Sequence, residues 1–174
     1  MHSDHDNKRP GHRRIGALLL IRNPDGAVLL VKPSYRKHWQ LVGGGVRPGE
    51  LVPHAALREA AEETGLADVG VGDLLAVDHI AANPKSGAAE GFNFILDGGV
   101  LASDAPITLP DPAPGEEEPE LTDWKFVPPN ELGDYCNPVQ HRRICAALAV
   151  LDDPSQRAYL AEGQPVTPYS KPRA

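Results

Sequence analysis

Runs of apolar residues separated by turn residues organise the first third of the chain. Residues 15–21 and 27–32 are rich in Leu, Val and Ile, and Asn23-Pro24-Asp25-Gly26 stands between them. Pro24 fixes φ and Gly26 accepts positive φ, so the two runs predict a β-hairpin. Residues 39–42 predict a short strand running into Gly43-Gly44-Gly45. The period then becomes helical over residues 53–64. Leu57, Ala60, Ala61 and Thr64 recur on one face, Pro53 sits near the first helical position, and Gly65 supplies the stop. Residues 74–82, 92–96 and 124–127 predict further strands. Asn137-Pro138 opens a second helix with Asn as N-cap and Pro at the first position. Its apolar stripe is Ile144, Ala147, Leu148 and Leu151, and Asp152-Asp153-Pro154 ends it.

Strands and helices mix without strict βαβ alternation, which predicts an α+β fold with a mixed sheet rather than a doubly wound one. At 174 residues the chain suits one domain, placed at 15–153. A polar, His-rich N-terminal segment, 1–14, precedes it and is expected to be flexible. A tail, 154–174, follows, and from about Ala161 it is Pro-rich and expected to fray. Residues 102–120 are rich in Pro and acid and predict a long loop, of the kind that is functional or mobile in a small domain.

Composition narrows the function. The formal charge is −7 and there is no Lys/Arg stripe with interleaved aromatics, which argues against a nucleic-acid polymer as partner. No apolar run reaches the roughly 18 residues of a membrane helix, so a soluble protein with no membrane partner is expected. Two cysteines without a CxxC pattern, Cys136 and Cys145, suit a reducing cytoplasm. An acidic chain still accommodates a phosphorylated small molecule, because a bound divalent cation inverts the local field.

The helix at 53–64 carries Arg58-Glu59-Ala60-Ala61-Glu62-Glu63. Spacings of three and four residues place Glu59, Glu62 and Glu63 on one side of the helix. They stand in its last two turns, where the helix dipole disfavours anions and like charges repel. On its own the pattern also reads as a solvated acidic face with Arg58 pairing Glu62. A divalent cation with hard oxygen ligands would relieve both penalties. The Gly triplet lets a backbone approach closely, and no Gly-Lys-Ser/Thr follows to make a Walker A loop.

Taken together, Gly44-x5-Glu50-x7-Arg58-Glu59-Ala60-x-Glu62-Glu63-x-Gly65-Leu66 resembles the Nudix box, G-x5-E-x7-R-E-U-x-E-E-x-G-U, where U is a bulky apolar residue. All seven fixed positions match, and chance would give such a match less often than roughly one in 10^7 starting positions. Ala60 is smaller than the usual residue at the first U. The flanking His38-Trp39-Gln40-Leu41-Val42-Gly43-Gly44 resembles the family's W-x-L-P-G-G, with Val42 in place of proline. Arg47 stands where an acid is common.

The resemblance, which spans about residues 15–151, implies an α/β/α sandwich with a mixed sheet and the box as a loop–helix–loop. It implies hydrolysis of a nucleoside diphosphate linked to another moiety, with Mg²⁺ or Mn²⁺ as cofactor. It implies Glu59, Glu62, Glu63 and the Gly44 carbonyl as metal ligands, and Glu59 is also assigned as base in some members. Arg58 orients a glutamate, Glu50 supports the site, and Arg47 is a candidate contact for substrate phosphate. Relatives draw a further carboxylate from outside the box. Glu120, at the end of Glu116-Glu117-Glu118-Pro119-Glu120, is the candidate by its spacing to Phe126, although that stretch also reads as a solvated acidic loop. Family members often form homodimers. His54 and His79 fall on the box helix and a neighbouring strand with no zinc-ligand company.

An alternative is a Nudix-like module that senses a nucleotide without cleaving it. The intact glutamate set argues for the enzyme. The substrate stays open among oxidised nucleoside triphosphates, nucleotide sugars and dinucleotides. The proline that often marks ADP-ribose enzymes is replaced by Ala81.

Overall fold

The apolar runs at the start of the chain become strands of one sheet in the computed structural model, which describes residues 13–85, 87–156 and 158–166. They are β1 (Arg14–Arg22), β2 (Val28–Pro33) and β3 (Gln40–Gly45). Helix α1 (Val52–Thr64) follows, then β4 (Leu74–Ile80), β5 (Gly91–Val100) and β6 (Leu121–Val127). A short helix α2 (Leu132–Tyr135), helix α3 (Pro138–Asp152), and the strands β7 (Tyr159–Ala161) and β8 (Gln164–Pro165) complete it.

The sheet order is β6-β2-β3-β1-β5-β4-β7-β8. β1 runs parallel to β5 and β4 parallel to β7, while the other neighbours are antiparallel, so the sheet is mixed as expected. Alternate residues of the same strand feed two cores. Ala17, Leu19 and Ile21 of β1 join Ala55, Ala56 and Ala60 of α1 on one face. Leu20 joins Ile144 and Ala147 of α3 on the other. A sheet buried on both faces needs continuous apolar strands, which explains why β1 and β2 read as unbroken runs rather than alternations. The result is the expected α/β/α sandwich.

The β1–β2 hairpin is shorter than the pattern predicts. Its turn forms, with Asn23 Oδ1 accepting from the Ala27 N–H at 2.8 Å. Only Arg22 and Val28 then pair, because β3 enters between the two strands and pairs with both. The Gly triplet is the last part of β3, not a turn after it. A Cβ on Gly43, whose φ is 132°, would sit 2.1 Å from the Ala17 carbonyl oxygen, so only glycine lets β3 lie this close to β1.

Helix α1 also presents a different face from the one predicted. Ala55, Ala56, Ala60, Glu63 and Thr64 are buried, while Leu57 is half-buried and Ala61 exposed. The contact is built from small residues, so the helix lies close to the sheet and Glu63 turns inward with them. Gly65 ends the helix in the left-handed region at φ 70°, its N–H donating to Ala61 O at 3.1 Å. Asn137 caps α3 as predicted, Oδ1 accepting from Val139 N at 3.0 Å and Gln140 N at 2.9 Å. The expectation of fraying from about Ala161 is corrected over 161–166, where the end of β7 and β8 extend the sheet. Residues 1–12 and 167–174 of the two predicted terminal segments lie outside the described residues. Among the described residues no helix is long and apolar enough to cross a membrane.

Candidate active site

The site grows from the point where β3 gives way to α1. Glu50, at the end of the connecting loop, accepts the Arg47 N–H at 2.9 Å and so closes the loop on itself. Its two oxygens also receive the Arg58 fork, from Nε at 2.8 Å and Nη2 at 2.9 Å. A bidentate guanidinium–carboxylate pair is strong and directional. The Arg58 bonds, and secondarily the Arg47 N–H, hold the Glu50 carboxyl down to about 2. Glu50 first, then Glu59 and Glu62, push Arg58 above its ordinary value, with burial opposing. Arg58 also donates from Nη2 to the Gly45 carbonyl at 2.9 Å, and from Nη1 to Glu59 at 2.7 Å and Glu62 at 3.0 Å. The reading of Arg58 as an orienting residue therefore has a geometric basis. It fastens the loop to the helix and turns two of the helix carboxylates.

The three glutamates stand in unlike surroundings rather than on one exposed side. Glu62 is half-exposed and also bonded by Arg47 at 3.3 Å. The Glu59 carboxylate lies against the backbone of β3, where a Cβ on Gly44 would meet its carbon at 2.5 Å. Glu63 is only 8% exposed, and it accepts the Gly43 N–H at 2.7 Å. Burial pushes the Glu63 carboxyl up to about 8. The Gly43 bond opposes the shift, and the charges of Glu59, Glu120 and Glu62 add to it.

Among the described residues, no three of these side chains are drawn together tightly enough to enclose a metal as they stand. Arg58 Nη1 stands between Glu59 and Glu62 and bonds both. The donor chemistry nevertheless suits a hard divalent cation, since every candidate ligand is an oxygen. Glu63 is a buried carboxylate facing three others, and the cation bonded to two of those neighbours, Arg58, does not bond it.

Gly44, Arg47, Arg58, Glu59, Glu62, Glu63 and Glu120 all line one cleft of about 1080 Å³. That volume is at the upper end of small-molecule sites. Glu120 reaches it from the end of the acidic loop, which is pinned by Ser34 N donating to Glu120 O at 2.9 Å. The histidines do not take part. His54 is exposed on α1 outside the cleft lining, and His79 pairs with Glu90 at 3.2 Å and packs on Phe92. Sequence reasoning missed the opposite end of the cleft. There Arg143 of α3 is held by buried Asp78 of β4 at 2.7 Å, and Asn93 of β5 contributes its amide. The signal available was a charged residue on the predicted inner face of α3, one position before Ile144.

Architecture and site together define a class, an α+β enzyme that offers a carboxylate cluster to a cleft sized for a small phosphorylated molecule. The chain belongs to the NUDIX domain family, whose model matches residues 12–148, and it is a hydrolase acting on phosphoanhydride bonds. Divalent metal ions are the cofactors of that family. Over 149 residues the chain is 31% identical to an RNA pyrophosphohydrolase of Erythrobacter litoralis (strain HTCC2594), covering 75% of this chain and 83% of the relative. Over 50 residues it is 46% identical to a protein of Bacillus subtilis (strain 168) provisionally named an 8-oxo-dGTP diphosphatase. That match covers 29% of this chain and 34% of the relative, so it spans about a third of the relative's length. The fold is shared with the MutT protein from Methanosarcina mazei Go1, at TM-score 0.62 and 23% identity, covering 82% and 96% of the two chains. It is also shared with a C. elegans Ap4A hydrolase, at TM-score 0.58 and 21% identity, covering 80% and 98%.

Proposed function

We propose that this chain cleaves the pyrophosphate linkage of a nucleoside diphosphate derivative with Mg²⁺, or Mn²⁺ in its place, at the mouth of the cleft. Glu59, Glu62, Glu63 and the Gly44 carbonyl would hold the cation. The observation that carries the reading is the meeting of Glu59, Glu62 and Glu63 from α1 with Glu120 from a distant loop around one cleft. When bound, the metal would neutralise pyrophosphate charge and lower the pKa of an attacking water.

The chain's own residues do the rest. Arg58 fixes the loop and aims Glu59. Arg47, exposed and bonded by its guanidinium to Glu62 at 3.3 Å, can turn that group to a substrate phosphate. Glu120 takes the proton of the attacking water, because it is the cluster's carboxylate that Arg58 does not hold and the buried site does not enclose. The test is phosphate or nucleotide release from a panel of nucleoside triphosphates, nucleotide sugars and dinucleoside polyphosphates. Turnover with Mg²⁺ that disappears in EDTA is expected for at least one class. Turnover unaffected by EDTA would contradict the metal assignment, and the absence of turnover across the panel would contradict the substrate class.

A further inference from the structure

Four strands place a row of residues across the α3 face of the sheet. Gly45 is paired with Gly16, Gly16 with Asn93, and Asn93 with Asp78. The two glycines leave a floor without side chains, and Asn93 rises beside it. The fit is close, since a Cβ on Gly16 would lie 2.4 Å from Asn93 Oδ1. Asn93 is 6% exposed and lines the cleft, and its carboxamide makes no hydrogen bond to any described residue. The carboxamide is open to the cleft rather than sealed in the core, so a ligand there can replace the water that would otherwise bond it.

Next to it stands Arg143, 4% exposed. Asp78 fixes its Nε at 2.7 Å and Gln140 accepts from Nη1 at 3.1 Å. Asp78 is itself anchored by the Gly163 N–H at 3.0 Å, so the guanidinium is held from behind. Its Nη2 bonds to no described residue, and Arg143 lines the same cleft. This end lies on the α3 face, whereas the glutamates come from α1 and Glu120. The cleft therefore has an acidic end, suited to a metal-bound phosphate, and a second end where the charges of Arg143 and Arg14 stand against those of Asp78 and Glu162.

We propose that Asn93 and Arg143 read the base of the substrate, and that they select a base presenting a carbonyl beside a ring N–H, as guanine and uracil do. The assignment rests on the reading of the acidic end as the phosphoanhydride site, because that reading puts the nucleoside at this end. An arginine only donates, so the group facing it must be an acceptor. A carbonyl satisfies it, and the neighbouring N–H donates to Asn93 Oδ1. Adenine and cytosine would turn an amino donor toward the guanidinium and leave a buried group unpaired. A site built for specific hydrogen bonds rejects such a ligand strongly. The glycine floor leaves room for the flat ring, which a side chain at position 16 would occupy.

Isothermal titration with nucleoside monophosphates isolates this claim from catalysis, because these molecules have no phosphoanhydride bond. GMP and UMP should bind the wild-type protein at least about tenfold more tightly than AMP and CMP. Asn93→Leu should bring the ratio close to one. Gly16→Ala, which keeps every polar group but forces its Cβ onto Asn93, should do the same and serves if the first variant does not fold. Equal binding of the four ligands, no binding of any, or an unchanged ratio in the folded variants would overturn the proposal. Hydrolysis is scored separately. A protein that binds GMP and UMP preferentially but hydrolyses no phosphoanhydride would sink the catalytic reading and leave this one standing. An active enzyme indifferent to the base would do the reverse.

Discussion

Helix α1 places Glu63 against Gly43 with the charges of three other glutamates around it, an arrangement that resists ionisation until a cation is present. Its folded pKa, about 8, stands above the ordinary 4.5. In metal-free protein the stabilising contribution of the protonated form is therefore complete below about pH 4.5 and is lost as pH rises through 8. Glu63→Gln keeps an oxygen for the Gly43 N–H and removes the charge. Melts in EDTA should show the variant at least as stable as wild type at pH 6, with an advantage that grows by pH 8.5. A fall of several degrees at both pH values would mean that Glu63 is a structural acid. Glu120→Gln, by contrast, should lower kcat more than it raises KM, because a proton acceptor is needed in the transition state and not for binding. Steady-state kinetics decide it, and an unchanged kcat would return Glu120 to the solvated loop. At this scale the motif in the sequence located the cleft-lining residues Arg58, Glu59 and Glu62. It misled at Glu63. Leu57 was assigned to the buried face by its helical spacing to Ala60, Ala61 and Thr64, yet the contact uses Ala56 and Ala60, and Glu63 sits three residues beyond Ala60 on the same face.

Elements were legible where they carry their own punctuation. Asn137 with Pro138, and Gly65 after Thr64, mark helix ends through local chemistry that no tertiary contact has to supply. Asn137→Ala should cost about 1 kcal/mol in denaturant unfolding, from the two N–H groups it leaves unbonded. A loss under a few tenths would show that water caps α3 equally well. The strands β7 and β8 went unread because three and two residues, one of them Pro165, are too few to show a period, and the pairing of β7 with β4 joins segments far apart in sequence. The β1–β2 hairpin was overextended for a related reason. A turn signal says that the chain reverses, not that the strands stay together, and the Gly triplet that lets β3 intervene lies 21 residues after Arg22. The long loop divides into two parts. Ile107 and Leu109 pack against the α1-side core and Thr108 N donates to Thr64 O at 3.0 Å, so packing does hold the first part. Any closure over substrate belongs to residues 110–120, where acids and prolines bury little. Hydrogen exchange with and without Mg²⁺ and a non-hydrolysable analogue should show new protection confined to 110–120. Protection spread evenly over 102–120, or absent, would contradict a hinged closure.

Across the whole molecule, one sheet divides the work between its faces. On the α1 side β3 brings the Gly43 N–H and the Gly44 backbone to the glutamates. On the α3 side the Asp78–Arg143 pair ties β4, α3 and the turn between β7 and β8 into a wall. That pair is 65 residues apart in sequence and follows no local pattern, which is why it was invisible before folding. Arg143→Met should destabilise by about 3–5 kcal/mol, because Asp78 is left fully buried without its counter-charge. A loss below 1 kcal/mol in urea unfolding would show that the wall does not need the pair. The central claim is that the carboxylates gathered by α1 hold the catalytic metal, and the most direct measurement is kcat of Glu62→Gln and Glu63→Gln at saturating Mg²⁺. Both should fall at least about 100-fold, roughly 2.7 kcal/mol or more in barrier. Near wild-type turnover in both variants would contradict the claim.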